Sequence, residues 1–433
     1  MNLPTRSLMP AAACAALLLS SSPPVSAADW PQYRGPTTDG ISKEKISKSW
    51  PEAGLKTLWH VPLADGFSSF TTGGGRLYTL VHRAPEGANL ETLVALDAVT
   101  GHEVWSQSIG VSKFQGGGNS GTPDNSGGDG PRSTPSFADG KVYVLSLNLS
   151  LLCYDAATGK PLWSHDLVKE HGARNITWAN AASPVIDGKL VFVACGAPGK
   201  SLMAFDRGSG ELVWKGEDDA ITHATPVVAT LHGQRQVIFF TQAGLVAVEP
   251  AGGKVLWRFK FPYSTSTAAS PVVSGDMVYC SAGYGMGAAA ARIAKGPEGW
   301  TATELWKLAG NKICNHWSTP VAFNGHLYGI FGFKEYGSCP LKCIDIATGQ
   351  EKWSQAGFGP GNVILVDGHV LVLSDRGQLS LIKPDPAGYR EVGRSKAVTG
   401  KCWSTPIVSN GKVFVRSTKE GAALEIGSSS ARR

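Results

Sequence analysis

Short runs in which apolar and polar residues alternate follow one another along the chain, and each run predicts a β-strand. Lys141 to Leu147 is typical, because Val and Tyr alternate there with small or polar neighbours. Leu151 to Tyr154 and Pro161 to His165 predict the next two strands, after a short first strand at Ser133 to Phe137. Together they predict one unit of four antiparallel strands.

Turn signals separate these runs. Asp139-Gly140 is a two-residue hairpin signal, because a type I′ turn needs positive φ at both positions. The same signal returns at Asp187-Gly188, Asn324-Gly325, Asp367-Gly368 and Asn410-Gly411. A second turn, Asp155 to Gly159, combines a carboxylate that caps backbone amides with a glycine for the left-handed position. Since these aspartates recur once per unit, we interpret them as structural caps.

A longer repeat is superimposed on the strands. Leu96 to Trp105 (LDAVTGHEVW) and Tyr154 to Trp163 (YDAATGKPLW) are its clearest copies. Its tryptophans, which recur at intervals of roughly fifty residues, are Trp59, Trp105, Trp163, Trp214, Trp257, Trp306 and Trp353. A second phrase, Ser or Thr followed by Pro, precedes most of them, as at Thr134-Pro135 and Ser183-Pro184. We interpret the tryptophans as packing between neighbouring units.

A β-rich repeat of this length predicts an all-β, eight-bladed β-propeller of four-stranded antiparallel blades. The last segment, 402–426, has the first strands of a blade but no tryptophan strand of its own. Leu55 to Leu63 contains Trp59 and has no blade. We therefore expect this N-terminal strand to join the last blade and close the ring, so that the propeller spans 55–426. The full blades are predicted near 68–107, 132–167, 182–217, 223–261, 268–308, 317–355 and 361–398.

The two ends of the chain differ from the repeat. Residues 1–27 resemble a secretory signal peptide, with Arg6, an apolar stretch and Val25-Ser26-Ala27 before the cleavage point. We expect an N-terminal arm at 28–54 and a disordered tail at 427–433. The protein is then periplasmic or secreted, with no membrane span after signal cleavage.

Composition narrows the function classes. The net charge is +6 and charged residues make up 17% of the chain, without a dense run of Lys or Arg, so we predict no nucleic-acid partner. No paired C-x-x-C occurs, and we predict no metal site. We expect a monomer whose ligand is a small molecule or a protein bound on the channel face.

Loops of one face converge on the channel of a propeller, and here they contain aromatic and polar residues that form the predicted binding site. The predicted ligand or cofactor residues are Trp178, Asn180, His223, Thr265, Tyr284, Asn315, His316, Trp317, Lys401 and Trp403. His223 and His316 are the acid–base candidates, although loop histidines also serve as plain hydrogen-bonding groups. The tryptophans either stack on a flat ligand or plug the channel. Arg132, Arg174, Lys312 and Lys401 form a basic funnel or are solvated loop charges.

The phrase A-x-D-x-x-T-G-x-x-x-W resembles the tryptophan-docking motif of the pyrroloquinoline quinone (PQQ)-like propeller repeat proteins, and the match covers 55–426. The opening Asp29 to Pro36 (DWPQYRGP) is similar to the start of exported members. Related in fold are the quinoprotein alcohol dehydrogenases, which hold PQQ and a metal against a disulfide between adjacent cysteines and use an aspartate base. The outer-membrane assembly propeller lipoprotein is also related; it binds no quinone and acts as a docking platform.

The sequence departs from both relatives. It has no Cys-Cys pair, and Cys14 lies inside the apolar stretch of the signal rather than at a lipid-attachment position. We therefore expect an exported, non-catalytic binding or scaffold module with its ligand face on the channel rim. The alternative is a PQQ-dependent oxidoreductase acting on an alcohol, polyol or sugar, for which PQQ is the possible cofactor.

Overall fold

The computed structural model describes residues 1, 29–112, 130–263, 265, 267–333 and 339–427. The predicted signal peptide lies outside these residues except for its first residue, and so does the predicted tail from 428 onward. Among the described helices, none is long and apolar enough to cross a membrane.

Strands in the described part of the chain form eight sheets, one for each predicted blade. Blades 1 to 4 consist of β3 (Thr71–Gly73), β4 (Arg76–Arg83), β5 (Leu90–Asp97), β6 (Glu103–Val111); β7 (Ser136–Ala138), β8 (Lys141–Leu145), β9 (Ser150–Asp155), β10 (Pro161–Asp166); β11 (Val185–Asp187), β12 (Leu190–Ala194), β13 (Leu202–Asp206), β14 (Leu212–Gly216); and β15 (Val227–Leu231), β16 (Gln234–Thr241), β17 (Gly244–Val248), β18 (Val255–Lys260).

Blades 5 to 8 complete the ring. They consist of β19 (Val272–Ser274), β20 (Met277–Ala282), β21 (Gly287–Gly296), β22 (Gly299–Leu308); β23 (Val321–Phe323), β24 (His326–Ile330), β25 (Leu341–Asp345), β26 (Glu351–Gln355); β27 (Asn362–Val366), β28 (His369–Leu373), β29 (Gln378–Ile382), β30 (Glu391–Lys396), with β1 (Ile41–Ser42); and β31 (Ile407–Ser409), β32 (Lys412–Arg416), β33 (Glu420–Glu425), with β2 (Thr57–Pro62). A helix, α1 (Leu167–His171), follows β10, and a 3-10 turn spans Pro85–Gly87.

The N-terminal strand closes the ring as the sequence predicts. β2 pairs antiparallel with β33, and Trp59 lies opposite Ala423 in this ladder. The outer edge of the last blade is thereby paired rather than left open to another chain. The eight-bladed all-β fold and its closure are confirmed.

The turn chemistry also agrees with the predictions. Asp139 and Gly140 adopt φ of 47° and 71°, as a type I′ hairpin requires. The Asp97 carboxylate accepts the backbone N–H groups of Val99 and Thr100 at 2.9 and 2.8 Å. These hydrogen bonds, that from Thr100 first, lower the pKa of Asp97. The repeated aspartates are caps that build the turns.

Six of the seven repeat tryptophans pack on a turn of the following blade, whereas Trp257 donates its indole N–H to Gln236 of its own blade at 2.7 Å. The indole nitrogen of Trp105 donates to the carbonyl oxygen of Ala156 at 3.1 Å. A Cβ on Gly159 would lie only 2.7 Å from the same ring, so only glycine leaves room for this contact. The pair Trp59 and Gly101 repeats the arrangement across the closure of the ring. The phrase therefore couples neighbouring blades.

Hydroxyl groups near the channel, most of them on residues before the prolines, form a second coupling between blades, which we call the hydroxyl ring (Ser69, Thr134, Ser183, Thr225 and Thr405). The backbone N–H of Ser69 donates to the hydroxyl of Thr134 at 3.0 Å, and that of Thr134 donates to Ser183 at 2.9 Å. The backbone N–H of Ser183 donates to the hydroxyl of Thr225 at 2.9 Å, and the backbone N–H of Thr405 donates to the hydroxyl of Ser69 at 2.9 Å. These hydroxyls satisfy buried backbone donors that the first strands would otherwise leave without partners.

The N-terminal arm runs across the inner strands of most blades, which the sequence did not predict. Trp30 exchanges hydrogen bonds with Thr72 of blade 1. The carbonyl oxygen of Pro31 accepts the N–H of Phe137 in blade 2 at 2.6 Å. Gln32 bonds to Ile186 of blade 3 through both its amide oxygen and its amide nitrogen.

The later part of the arm completes the crossing. The buried guanidinium of Arg34 donates to the carbonyl oxygens of Thr319 and Pro320 at 3.0 and 2.8 Å. Thr38 bonds to Val228 of blade 4, and β1 pairs parallel with β27 of blade 7. The arm is thus fixed within the ring by contacts to at least six blades.

Candidate functional site

A cavity of about 140 Å³ lies in the channel where the loops before the inner strands converge. Blades 1 to 6 and blade 8 supply its lining, and the arm supplies one residue. The lining residues are Tyr33, Phe67, Ser69, Arg132, Trp178, Ala181, Ser183, His223, Thr225, Ala268, Tyr284, His316, Trp317, Trp403 and Thr405. Six of the ten residues predicted for the site lie here: Trp178, His223, Tyr284, His316, Trp317 and Trp403.

Two predicted residues have structural roles instead. The amide nitrogen of Asn180 donates to three backbone carbonyl groups, including that of Ala182 at 3.0 Å. Asn315 donates to the carbonyl oxygen of Ile330 at 2.8 Å and accepts the hydroxyl of Tyr279 at 2.6 Å. Both side chains are buried outside the lining, so their polar groups hold loops in place.

The other two also lie outside the lining. The Lys401 ammonium lies 4.8 Å from the ring centroid of Trp403 and 5.9 Å from that of Phe67. This cation–π geometry places its charge behind the aromatic wall. Thr265 is half-buried and outside the lining. Of the predicted basic funnel, Arg132 alone is among the lining residues.

The aromatic side chains form a continuous series of ring contacts around the cavity. Trp178 stacks on Tyr284 with centroids 6.1 Å apart, and Tyr284 meets His316 edge to face at 5.2 Å. The series then runs from His316 to Trp317 at 5.1 Å. It ends with Trp317 on Trp403 at 4.4 Å and Trp403 on Phe67 at 4.7 Å. We call these six residues the aromatic belt.

His223 is buried in the cavity wall beside Trp178, with ring centroids 6.4 Å apart. Burial, and next the positive charge of Arg132, lower the pKa of His223 to about 3, although hydrogen bonds to the Ala179 and Thr177 backbone oppose the shift. The imidazole is therefore neutral at pH 7. A group with so low a pKa is a weak proton acceptor, which makes His223 a poor general base near neutrality.

Three residues of the belt and its loop have an unusual backbone. Trp178, Ala179 and Tyr284 have φ of 71°, 60° and 57°. The left-handed region is unfavourable for bulky residues, and such strain clusters at functional sites. Arg132 donates to the carbonyl oxygen of Trp178 and so helps to hold this conformation.

The chemistry available here is mainly stacking and polar binding. None of the described lining residues is a carboxylate. In the described parts of the chain, no cluster of three His, Cys, Asp or Glu side chains could hold a metal ion. The adjacent cysteines used by quinoprotein dehydrogenases do not occur in the sequence.

Several lining residues escaped the sequence-based prediction. Ser69, Ser183 and Thr225 belong to the hydroxyl ring. Ser183 and Thr225 precede prolines, so for these two the Ser/Thr-Pro phrase was a signal for the wall of the channel. Phe67 stands just before that ring. Tyr33 belongs to the arm, which has no repeat to indicate where it runs, and no sequence signal would have placed it in the channel.

The comparisons with known proteins agree with this architecture. The family model of outer membrane protein assembly factor BamB matches residues 89–310, just over half of the chain. Tetrathionate hydrolase of Acidithiobacillus ferrooxidans is 24% identical over 245 residues, which cover 55% of this chain and 41% of that protein. The chain thus spans about two fifths of the length of this relative.

Solved structures show the same fold. BamB from Moraxella catarrhalis has a TM-score of 0.58 and 13% identity, with 86% of this chain and 98% of that chain covered. Quinohemoprotein alcohol dehydrogenase from Comamonas testosteroni has a TM-score of 0.62 and 13% identity, with 92% and 81% covered. Because fold and function separate at such identities, these structures establish the architecture alone. The family match over more than half of the chain shows that it belongs to the BamB-like family of PQQ-like β-propeller proteins.

Proposed function

We propose that the protein is an exported, non-catalytic binding propeller whose channel cavity holds a flat small molecule. The observation that supports this most is the aromatic belt, since six rings from five blades contact one another in series around a single concavity. Aromatic faces offer large contact areas at low entropic cost and suit planar ligands. Arg132 adds a cationic group at the same wall.

The lining supports binding better than catalysis. A flat quinone such as PQQ fits the belt, and Arg132 suits one of its carboxylates. Abstraction of a proton from an alcohol needs a base close to the ligand. The described lining offers no carboxylate, and His223 has a pKa of about 3. These residues fit a planar ligand, but they do not fit a quinone-dependent dehydrogenase, which stays the alternative function.

The test is a titration of the protein, purified without its first 27 residues, with PQQ as the probe. Tryptophan fluorescence should fall saturably with one-to-one stoichiometry, equally with and without calcium, and alcohols should not reduce an artificial electron acceptor. Trp317→Ala should weaken binding at least tenfold. Trp300→Ala is the matched control, because Trp300 packs near His232 on the outer hairpin of blade 5.

Two outcomes would count against the proposal. Alcohol-dependent reduction of the acceptor in the presence of PQQ would favour the oxidoreductase. An absence of quenching up to high micromolar PQQ, repeated with tetrathionate and aromatic carboxylates, would remove the small-molecule site. The family membership would then favour a docking platform for another protein.

A further inference from the structure

The arm contributes residues to two cavities. Tyr33 lines the cavity described above, whereas Arg34, Thr38 and Ile41 line a second one of about 310 Å³. No residue lines both. The lining of the second cavity is aliphatic and polar and contains no aromatic side chain. The arm therefore contributes Tyr33 to the aromatic cavity and its later residues to a cavity of different chemistry.

The register of the hydrogen bonds indicates how deep the arm lies in the channel. The arm bonds to Phe137 and Val228, which follow the prolines of blades 2 and 4, and Arg34 bonds at the proline of blade 6, whereas a belt residue such as Trp317 precedes the proline of its blade. A strand that leaves the loop face reaches its later residues deeper in the channel. Tyr33 consequently lies deeper in the channel than Trp317, on the side away from the loop face.

Tyr33 is flanked by anchored residues and brings a phenol to the cavity. Its neighbours Gln32 and Arg34 are buried and bonded to blades 3 and 6. Its own side chain is half-buried. A phenol presents an apolar ring together with a hydroxyl that both donates and accepts hydrogen bonds. Tyr284 supplies the other phenol of the lining, within the belt itself.

We propose that Tyr33 is the floor of the ligand site and determines its specificity. In this arrangement, the flat body of the ligand packs on the belt and a polar oxygen or nitrogen at its inner end bonds to the Tyr33 hydroxyl. This inference rests on the proposed function and adds two details to it. The site is shared between the propeller and the arm, and the ligand is flat with a polar group at its inner end.

The experiment compares Tyr33→Phe, Tyr33→Ala and the control Thr37→Ala, with PQQ as the probe and tryptophan fluorescence as the readout. Thr37 lies on the same arm but is exposed and outside the belt cavity. Thermal melting of each variant verifies that it folds. Tyr33→Phe should weaken binding about tenfold, as expected for a lost hydrogen bond to a charged group, and Tyr33→Ala should weaken it further. Thr37→Ala should bind as the wild type does.

The outcomes separate this inference from the proposed function. If the wild type binds PQQ, Trp317→Ala abolishes binding and both Tyr33 variants bind normally, the floor assignment is wrong while the proposed function stands. If Tyr33→Ala alone weakens binding, the floor stands and the polar contact is wrong. If the wild type does not bind any flat probe, the floor assignment and the proposed function are both wrong.

Discussion

The rings of Trp178 and Tyr284 lie nearly parallel, at 13°, although they come from blades 3 and 5, which are not neighbours. Both residues have positive φ, and both line the cavity. Two strained aromatic residues that meet over a cavity make a good candidate for a ligand clamp. The backbone strain itself can be measured without any ligand.

The comparison of Trp178→Gly with Trp178→Ala isolates that strain. Both variants remove the ring, but only glycine adopts a φ of 71° without penalty. The left-handed conformation costs a non-glycine residue about 1–2 kcal/mol. We expect the glycine variant to be the more stable by about that amount in urea unfolding. An alanine variant as stable as the glycine variant would contradict the backbone conformation.

The hydroxyl ring predicts a second stability effect. Thr134 is buried, and its hydroxyl accepts the backbone N–H of Ser69 at 3.0 Å. Thr134→Val keeps the shape but leaves this donor unpaired, at a cost of about 1–3 kcal/mol. Thr134→Ser keeps the hydroxyl and should cost clearly less. Equal losses in the two variants would mean that the hydroxyl does not couple blades 1 and 2.

Much of the architecture was accessible from sequence because it repeats. A copy of the tryptophan phrase, such as Leu96 to Trp105, specifies a turn, a strand and a packing contact together. The blade that contains it can therefore be recognised from its local sequence. The arm does not repeat, and its position depends on backbone hydrogen bonds that exist only once the ring has closed. Its contribution of Tyr33 to the cavity was therefore not predictable.

The candidate site was predicted in part, for a similar reason. Loop position and aromatic character brought Trp178 and Trp317 to the same cavity. Asn180 and Asn315 share that loop position, but their side-chain amides are hydrogen-bonded to buried backbone carbonyl groups. Polar loop residues either face a ligand or satisfy the loop's own backbone, and sequence alone does not distinguish the two.

The buried carboxyl group of Glu91 predicts that stability falls as the pH rises. Burial raises the pKa of Glu91 from 4.5 to about 8, although the Leu147 N–H donates to its carboxylate. Between these values the unfolded chain releases the proton while the folded chain retains it, so this group costs stability as the pH rises. Glu91→Gln should match the wild type near pH 4.5 and exceed its stability at pH 8. A variant less stable than the wild type at pH 8 would show that Glu91 is ionised and paired in the fold.

His223 predicts the opposite slope. Its pKa falls from 6.5 to about 3 in the folded state, so below pH 6.5 the unfolded chain binds a proton that the folded chain does not. The neutral His223 makes its full contribution to the free energy of unfolding above pH 6.5. This contribution is lost as the pH falls toward 3, at up to about 1.4 kcal/mol per pH unit. Denaturant unfolding from pH 7 to 4 should show a shallower loss for His223→Gln. Parallel curves for the two proteins would contradict a buried neutral imidazole.

The most direct test of the binding site is a crystal structure of the protein grown or soaked with PQQ. The account predicts flat electron density in the channel, in contact with the rings of Trp317 and Trp403 and with one polar edge toward Tyr33. Density confined to the outer surface, or a channel that remains empty while PQQ binds in solution, would contradict the assignment of this cavity as the ligand site.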